Sequence, residues 1–279
     1  MIGFPGASYL GAALVTGIEN ASIAPDGESA LAIEGGRVVL IQNLRGEGQR
    51  RLVLPETVER LDQVAWSPDS RVAVVYSSAT RQLWRIESGN TAAAVAIDLH
   101  LPGEVAALAA DAAAGHVLAS VRHAEEGGFY AVQDGGAARL IALANPGPAV
   151  FSRNGGAFYG VDLNTGQVLH CSATGSGSCE PLTFAGEQER LAEPRGIALS
   201  RDEKTLYVAG AADRLIRAYD LTARVLHSEI QLAAAPNMLA ELAGTASVYL
   251  LASREKSGQP LWILDARLAP AVFFVPAGE

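Results

Sequence analysis

Short apolar runs separated by turns of Asp, Gly, Ser and Asn recur along most of the chain. The clearest copy is GIALSRDEKTLYVAGAADRLIRAYDL, residues 196–221. It reads as a strand, a charged turn from Arg201 to Lys204, a second strand, a loop and a third strand. RVLHSEIQL, from Arg224, supplies a fourth apolar run. The same order appears in QVAWSPDSRVAVVYSSATRQLWRIES followed by AAAVAIDL, and in ASIAPDGESALAIEGGRVVLIQNL followed by QRRLVLP. Weaker copies are PAVFSRNGGAFYGVDL, ALAADAAAGHVLASV and AELAGTASVYLLASREKSGQPLWILDA. Runs this short, bounded by turn residues, are strands rather than helices.

The polar residue in the first turn of each copy marks the period: Asp26, Asp69, Asp111, Asn154, Asp202 and Gly244, with steps of 43, 42, 43, 48 and 42 residues. A repeat in the low forties with four strands each is the spacing of propeller blades. A single four-stranded sheet leaves two apolar faces and an open edge, and stacking such sheets radially buries the faces. The expectation is therefore an all-β chain forming one β-propeller over residues 1–279, with six four-stranded blades and seven as the alternative. The blades fall at about 20–62, 63–105, 106–146, 147–194, 195–236 and 237–279, with 1–19 closing the ring. The segment AALAADAAAG, from Ala106, has helical propensity, but the repeat register makes it an inner strand and turn. TFAGEQERLAEPRG, residues 183–196, accounts for the 48-residue step. It either covers the mouth of the central channel or forms one helical turn with i,i+3 and i,i+4 charge pairs, and we read it as the turn.

Composition adds three constraints. Hydrophobic residues make up 49% of the chain and charged residues 18%, enough for a core and unlike a disordered segment. The net charge of -9 argues against nucleic-acid or anionic-membrane partners, which require a basic footprint. Residues 1–18 carry no charge, yet they lack a basic leader region and a stop-transfer flank. Gly3, Pro5, Gly6 and Gly11 would also break a helix there. They read as strand and loop of the domain, with no membrane span and no visible signal peptide.

Cys171 and Cys179 are the only cysteines, in HCSATGSGSCE, with Gly175 at their midpoint. A symmetric hairpin would set them opposite one another, within disulfide reach. The alternative is two separate thiols. No CxxC or paired histidine supports zinc. The disulfide reading brings with it an oxidising compartment, periplasmic or extracellular.

At SPDSRVAVVY, SRDEKTLYVAG and LIRAYDL the chain resembles the degenerate propeller repeats of bacterial surface-layer and YVTN-type proteins. More distantly it is similar to WD repeats, although the Trp-Asp pair and Gly-His turn of those are missing. The PGASYLG opening and LWILDARLAPAVFFVPAG ending resemble a group of uncharacterised secreted propellers. What the resemblance implies is a propeller fold. YVTN-type relatives include binding modules and a sugar-phosphate lactonase, so it implies no single activity.

Catalytic motifs are sparse. The sequence has no GxSxG, no phosphate loop, no Ca²⁺ loop and no full sialidase Asp box. His116, His170 and His227 fall on strands and read as packed residues. His100 and His123 fall in or near loops. RHAEEGG, residues 122–128, groups Arg122, His123, Glu125 and Glu126, a set suited to binding a cation or to acid–base work. Loops joining second to third strands should share one face with the connections between blades. That face holds PETVERLDQ (55–63), PGE (102–104), RHAEE (122–126), GEQERLAEPRG (186–196), ADR (212–214) and SREK (253–256). Loops on a rigid scaffold carry function, so the candidate binding residues at the channel mouth are Arg122, His123, Glu125, Glu126, Arg195 and Arg214. No catalytic residue, metal site or cofactor is assigned. The expected function is a non-enzymatic, monomeric scaffold binding protein or cell-envelope glycan. The alternatives are a lactonase-like hydrolase at the mouth and a structural module of a larger envelope protein.

Overall fold

The computed structural model describes residues 15–46, 48–89, 93–97, 101–111, 115–133, 136–173, 179–187, 189–242, 247–251 and 261–275. These residues form six sheets of four strands each, every neighbouring pair antiparallel, and no helix. This is the all-β, six-bladed propeller class expected from the repeat.

Sheet 1 holds β1 (Ile18–Ile23), β2 (Ser29–Glu34), β3 (Arg37–Gln42) and β4 (Arg50–Val53). Sheet 2 holds β5 (Gln63–Trp66), β6 (Val72–Ser77), β7 (Gln82–Glu87) and β8 (Ala93–Ile97). Sheet 3 holds β9 (Glu104–Ala110), β10 (Val117–Arg122), β11 (Gly128–Gln133) and β12 (Gly136–Ala142). Sheet 4 holds β13 (Pro146–Phe151), β14 (Ala157–Asp162), β15 (Gln167–Ser172) and β16 (Cys179–Pro181). Sheet 5 holds β17 (Pro194–Leu199), β18 (Thr205–Gly210), β19 (Leu215–Asp220) and β20 (Val225–Gln231). Sheet 6 holds β21 (Ala240–Glu241), β22 (Val248–Leu250), β23 (Leu261–Asp265) and β24 (Ala271–Val275). The described start of the alanine-rich segment, residues 106–110, is thus part of strand β9, where Leu108 and Ala109 pack against clusters on its two faces; residues 112–114 lie outside the described residues.

Two compact units result. One is built on Leu14–Asn164 and Val168–Pro181, carrying sheets 1 to 4; the other on Leu182–Glu279 with Thr165–Gln167, carrying sheets 5 and 6. Within the first, β6 shows why the second strands read as unbroken apolar runs. Ala73 and Val75 join Leu31, Leu40 and Trp84 on one face, while Val74 and Tyr76 join Val105, Val117 and Tyr130 on the other. A strand buried on both faces loses the apolar–polar alternation of a half-exposed one. Phe129, Phe151 and Phe158 fill the space between sheets 3 and 4 with edge-on ring contacts at 5.4 and 6.2 Å. In the second unit, Tyr207, Ile216, Tyr249 and Leu264 play the corresponding part.

The turn between first and second strands is the structural unit behind the repeat. In three copies a Ser opens it: Ser67, Ser152 and Ser200. Its hydroxyl donates to the carboxylate or amide oxygen two residues on (Asp69, Asn154, Asp202) at 2.6–2.7 Å. The same hydroxyl accepts the N–H five residues on, from Val72, Ala157 and Thr205. The fourth residue takes a left-handed conformation in each: Ser70, Gly155 and Glu203, with Gly27 doing so in the copy opened by Ala24. Blade three departs from this pattern. Asp111 donates its N–H to His116 O, the position Ser holds elsewhere, so the aspartate chosen as the third marker is displaced by two residues.

Candidate functional site

The loop between β10 and β11 is built around a single residue. His123 Nδ1 accepts the N–H groups of Glu125 and Glu126 at 3.3 and 3.0 Å, while Gly127 N–H closes onto His123 O at 3.1 Å. The imidazole therefore caps one backbone turn, much as Ser or Asp caps a helix start. Tyr130 donates its hydroxyl to Glu126 O at 2.5 Å, and Arg139 reaches Glu125 O at 3.4 Å. Burial pushes the Tyr130 phenol up, and the Glu126 charge adds to this while Arg139 opposes it. Gly103 and Gly127 make this packing possible: a Cβ on Gly103 would meet Arg122 O at 2.0 Å, and one on Gly127 would meet His123 O at 2.5 Å. The backbone is fixed from several sides, and the Glu125 and Glu126 side chains stand exposed at the tip. Arg122, also exposed, faces Glu104 across the β9–β10 register.

Arg195 and Arg214 belong to the other unit. Arg195 lies on β17, exposed, and donates to Glu193 at 3.4 Å. Arg214 holds a left-handed turn into β19, and its carbonyl accepts from Leu232 N–H and the Gln231 side chain. His100 and the SREK loop lie outside the described residues, as do the 1–14 part of the ring-closing segment and Gly175 of the cysteine hairpin.

Cys171 and Cys179 face one another in the β15–β16 register and form a disulfide, with Cα atoms 4.0 Å apart. The bond pins the three-residue strand β16. On the opposite face of this hairpin His170 stacks on Tyr159 at 5.0 Å and pairs with Glu180 at 3.5 Å. His170 and Glu180, with Gly156, Ala157, Ser172 and Cys179, line an open recess of about 450 Å³.

Two polar clusters were missed in the sequence. Arg217, in the middle of β19, is 8% exposed. Its guanidinium donates to Glu229 at 2.8 Å, to Glu187 at 3.3 Å and to the Glu189 carbonyl. Tyr219 donates to the same Glu187 oxygen at 2.8 Å and stacks on Phe184 at 4.3 Å. Burial, then the Glu187 contact, holds the Tyr219 phenol far above its ordinary range. Residues 183–187 are thereby drawn along sheet 5, with Ala185 bridging Val225 in parallel. The helical turn expected over 183–196 does not form among the described residues: the Glu187 carboxylate and the Glu189 carbonyl are held by Arg217, and Glu193 pairs with its neighbour Arg195. An arginine inside an apolar run was the available signal.

The second cluster is Asp111 and His116. Asp111 is 8% exposed, its Oδ2 lies 2.7 Å from His116 Nδ1, and its Oδ1 is buried without a hydrogen-bond partner among the described residues. A carboxylate on one ring nitrogen fixes the imidazole's orientation and favours the tautomer whose other nitrogen is the acceptor. Among the described residues, no three His, Cys, Asp or Glu side chains gather as a metal set.

No protein-family model matches the chain, and neither does any curated protein. Solved structures do. A functionally unknown protein from Desulfotomaculum acetoxidans DSM 771 aligns with a TM-score of 0.64 at 13% identity, over 94% of this chain and 90% of that one. A chain of a nidogen/laminin complex gives 0.62 at 12%, over 90% and 91%. The Cps50 (Swd1) beta-propeller domain of Myceliophteria thermophila gives 0.62 at 13%, over 95% and 90%. At such identities the likeness establishes the β-propeller fold and carries no activity with it.

Proposed function

We propose that the protein is a non-enzymatic binding scaffold of an oxidising compartment, a secreted or periplasmic bacterial propeller with degenerate YVTN/WD-like repeats. Its ligand is a protein or a cell-envelope glycan, engaged through loops held rigid by their own backbone contacts. The observation that supports this best is His123. Its ring is spent on two backbone N–H groups of its own loop, which leaves Arg122, Glu125 and Glu126 as a fixed, mixed-charge tip suited to hydrogen bonding with a partner. Arg195 and Arg214 provide a separate set of exposed charges on the second unit. The disulfide is consistent with such a compartment.

A second reading, a lactonase-like hydrolase, has one observation in its favour: the Asp111–His116 pair, whose oriented imidazole could accept a proton from water. The two separate cleanly. Purified protein is tested for cosedimentation with peptidoglycan sacculi, for capture of envelope proteins, and for hydrolysis of a model lactone. The scaffold reading expects binding that falls at least tenfold in an Arg122→Ala, Glu125→Ala, Glu126→Ala triple variant, with lactone turnover at the solvent rate. Turnover abolished by His116→Ala would replace it with the hydrolase.

A further inference from the structure

Asn154, in the turn between β13 and β14, is the only asparagine of the chain followed by glycine. Such a bond carries its own chemistry. The glycine amide nitrogen can attack Cγ of the asparagine before it, because no Cβ on the glycine obstructs the approach. The N–Cγ bond forms and hydroxide takes the amide proton. The Cγ–Nδ2 bond then breaks as Nδ2 takes a proton from water and leaves as ammonia. Water opens the cyclic imide at either carbonyl. One opening gives aspartate. The other gives isoaspartate, whose main chain runs through Cγ and is longer by one methylene.

The folded turn ties up both reactants. Gly155 N–H donates to Ser152 O at 2.9 Å, so removing its proton breaks a backbone hydrogen bond. Asn154 Oδ1 accepts from the Ser152 hydroxyl at 2.7 Å and from Gly156 N–H at 2.9 Å, which holds the carboxamide toward the residue beyond the attacking one. Gly155 is buried with a φ of 68°, and a Cβ placed on it would come within 3.0 Å of Asp111 Oδ2 in blade three. Swinging the Asn154–Gly155 peptide into line for attack would pull Gly155 out of that seat.

Other copies of the turn show which product fits. Asp69 and Asp202 stand where Asn154 does, accept from Ser67 and Ser200 at 2.6 and 2.7 Å, and accept from the Arg71 and Lys204 amides two residues on. An aspartate at position 154 would make the same bonds. An isoaspartate would not, because its added methylene lengthens a turn whose ends are fixed by the Val150–Tyr159 and Phe151–Phe158 pairs.

From this geometry we infer that Asn154–Gly155 is a latent self-modification site, closed while sheet 4 is folded and open whenever the β13–β14 hairpin opens. Its substrates are the chain's own carboxamide and water. The aspartate product re-forms the turn, and the isoaspartate product does not.

Ageing the full chain, disulfide intact, at mildly alkaline pH tests this, beside the peptide PAVFSRNGGAFYG and beside the same chain unfolded in urea. Peptide mapping follows the amide-to-acid mass change at Asn154, and labelling by an isoaspartyl methyltransferase separates the two products. The folded chain should convert at least about tenfold more slowly than the peptide, and the unfolded chain at close to the peptide's rate. When urea is removed, the aspartate form should return to the folded fraction and the isoaspartate form should be depleted from it. An Asn154→Asp variant should fold, with a urea midpoint at pH 7 no lower than that of the wild type. Equal conversion in the folded chain and the peptide overturns the inference. So does isoaspartate recovered in the folded fraction in the proportion present before refolding, since the turn would then tolerate the longer main chain.

Discussion

At the scale of single residues, the Ser-x-Asp turn explains most of what makes the repeat visible. One hydroxyl donates to a side chain and accepts from the backbone, so a short polar sequence closes a hairpin without help from the core. The carboxylates respond as expected. At Asp69 burial alone would raise the pKa, but the Ser67 hydroxyl, the Arg71 amide and the Arg71 charge more than reverse it. At Asp202 the Ser200 hydroxyl leads the lowering, followed by the Lys204 amide. A carboxylate held low in the folded state adds stability above its unfolded pKa, near 3.9. That stability is lost as pH falls through the folded value. Asn154 fills the same position with the same bonds in blade four. An Asp69→Asn, Asp202→Asn variant should therefore fold normally, be slightly less stable than the wild type at pH 7, and show a smaller deficit at pH 3, below the unfolded value. Urea midpoints at the two pH values measure this, and a difference that does not shrink in acid would contradict it.

At the scale of elements, the connection from sheet 4 to sheet 5 shows tertiary structure overriding local sequence. GEQER has the charge spacing of a helical turn, yet Glu187 is worth more beneath Arg217 and Tyr219, where it accepts two hydrogen bonds away from water. Removing one partner of a buried charged pair strands the other. Arg217→Ala should cost about 3 kcal/mol in chemical denaturation. Arg217→Met combined with Glu187→Gln should recover more than half of that, since no unpaired charge remains. A cost for Arg217→Ala below about 0.5 kcal/mol, the range of a neutral surface change, would mean that the connector is held by Phe184 packing alone.

At the scale of the whole molecule, the disulfide acts on the unfolded chain as well as on the folded one. The Cys171–Cys179 link closes a loop of sequence separation 8, for which loop-entropy reasoning gives about 2–3 kcal/mol. Cys171→Ala, Cys179→Ala should lower stability by that amount, and reduction of the wild type should do the same. If the protein works in an oxidising compartment, thiol alkylation of material taken directly from cells should find both cysteines protected. Full alkylation would remove the secreted or periplasmic reading while leaving the fold untouched.

The sequence alone carried the blade count, the strand assignments and the facing cysteines. Each depends on short-range pattern: turn chemistry, apolar runs and the two-residue period of a strand. The charges of the 122–126 loop were legible too, but not the bonding of the His123 ring to the Glu125 and Glu126 amides of its own loop. Arg217 with Glu187, and Asp111 with His116 beside the Gly155 turn, became visible only in three dimensions. Glu187 reaches Arg217 from an irregular connector, Asp111 and His116 meet across the turn between β9 and β10, and burial rather than residue type gives these groups their character. A repeat predicts what recurs, and these clusters sit where the recurrence breaks.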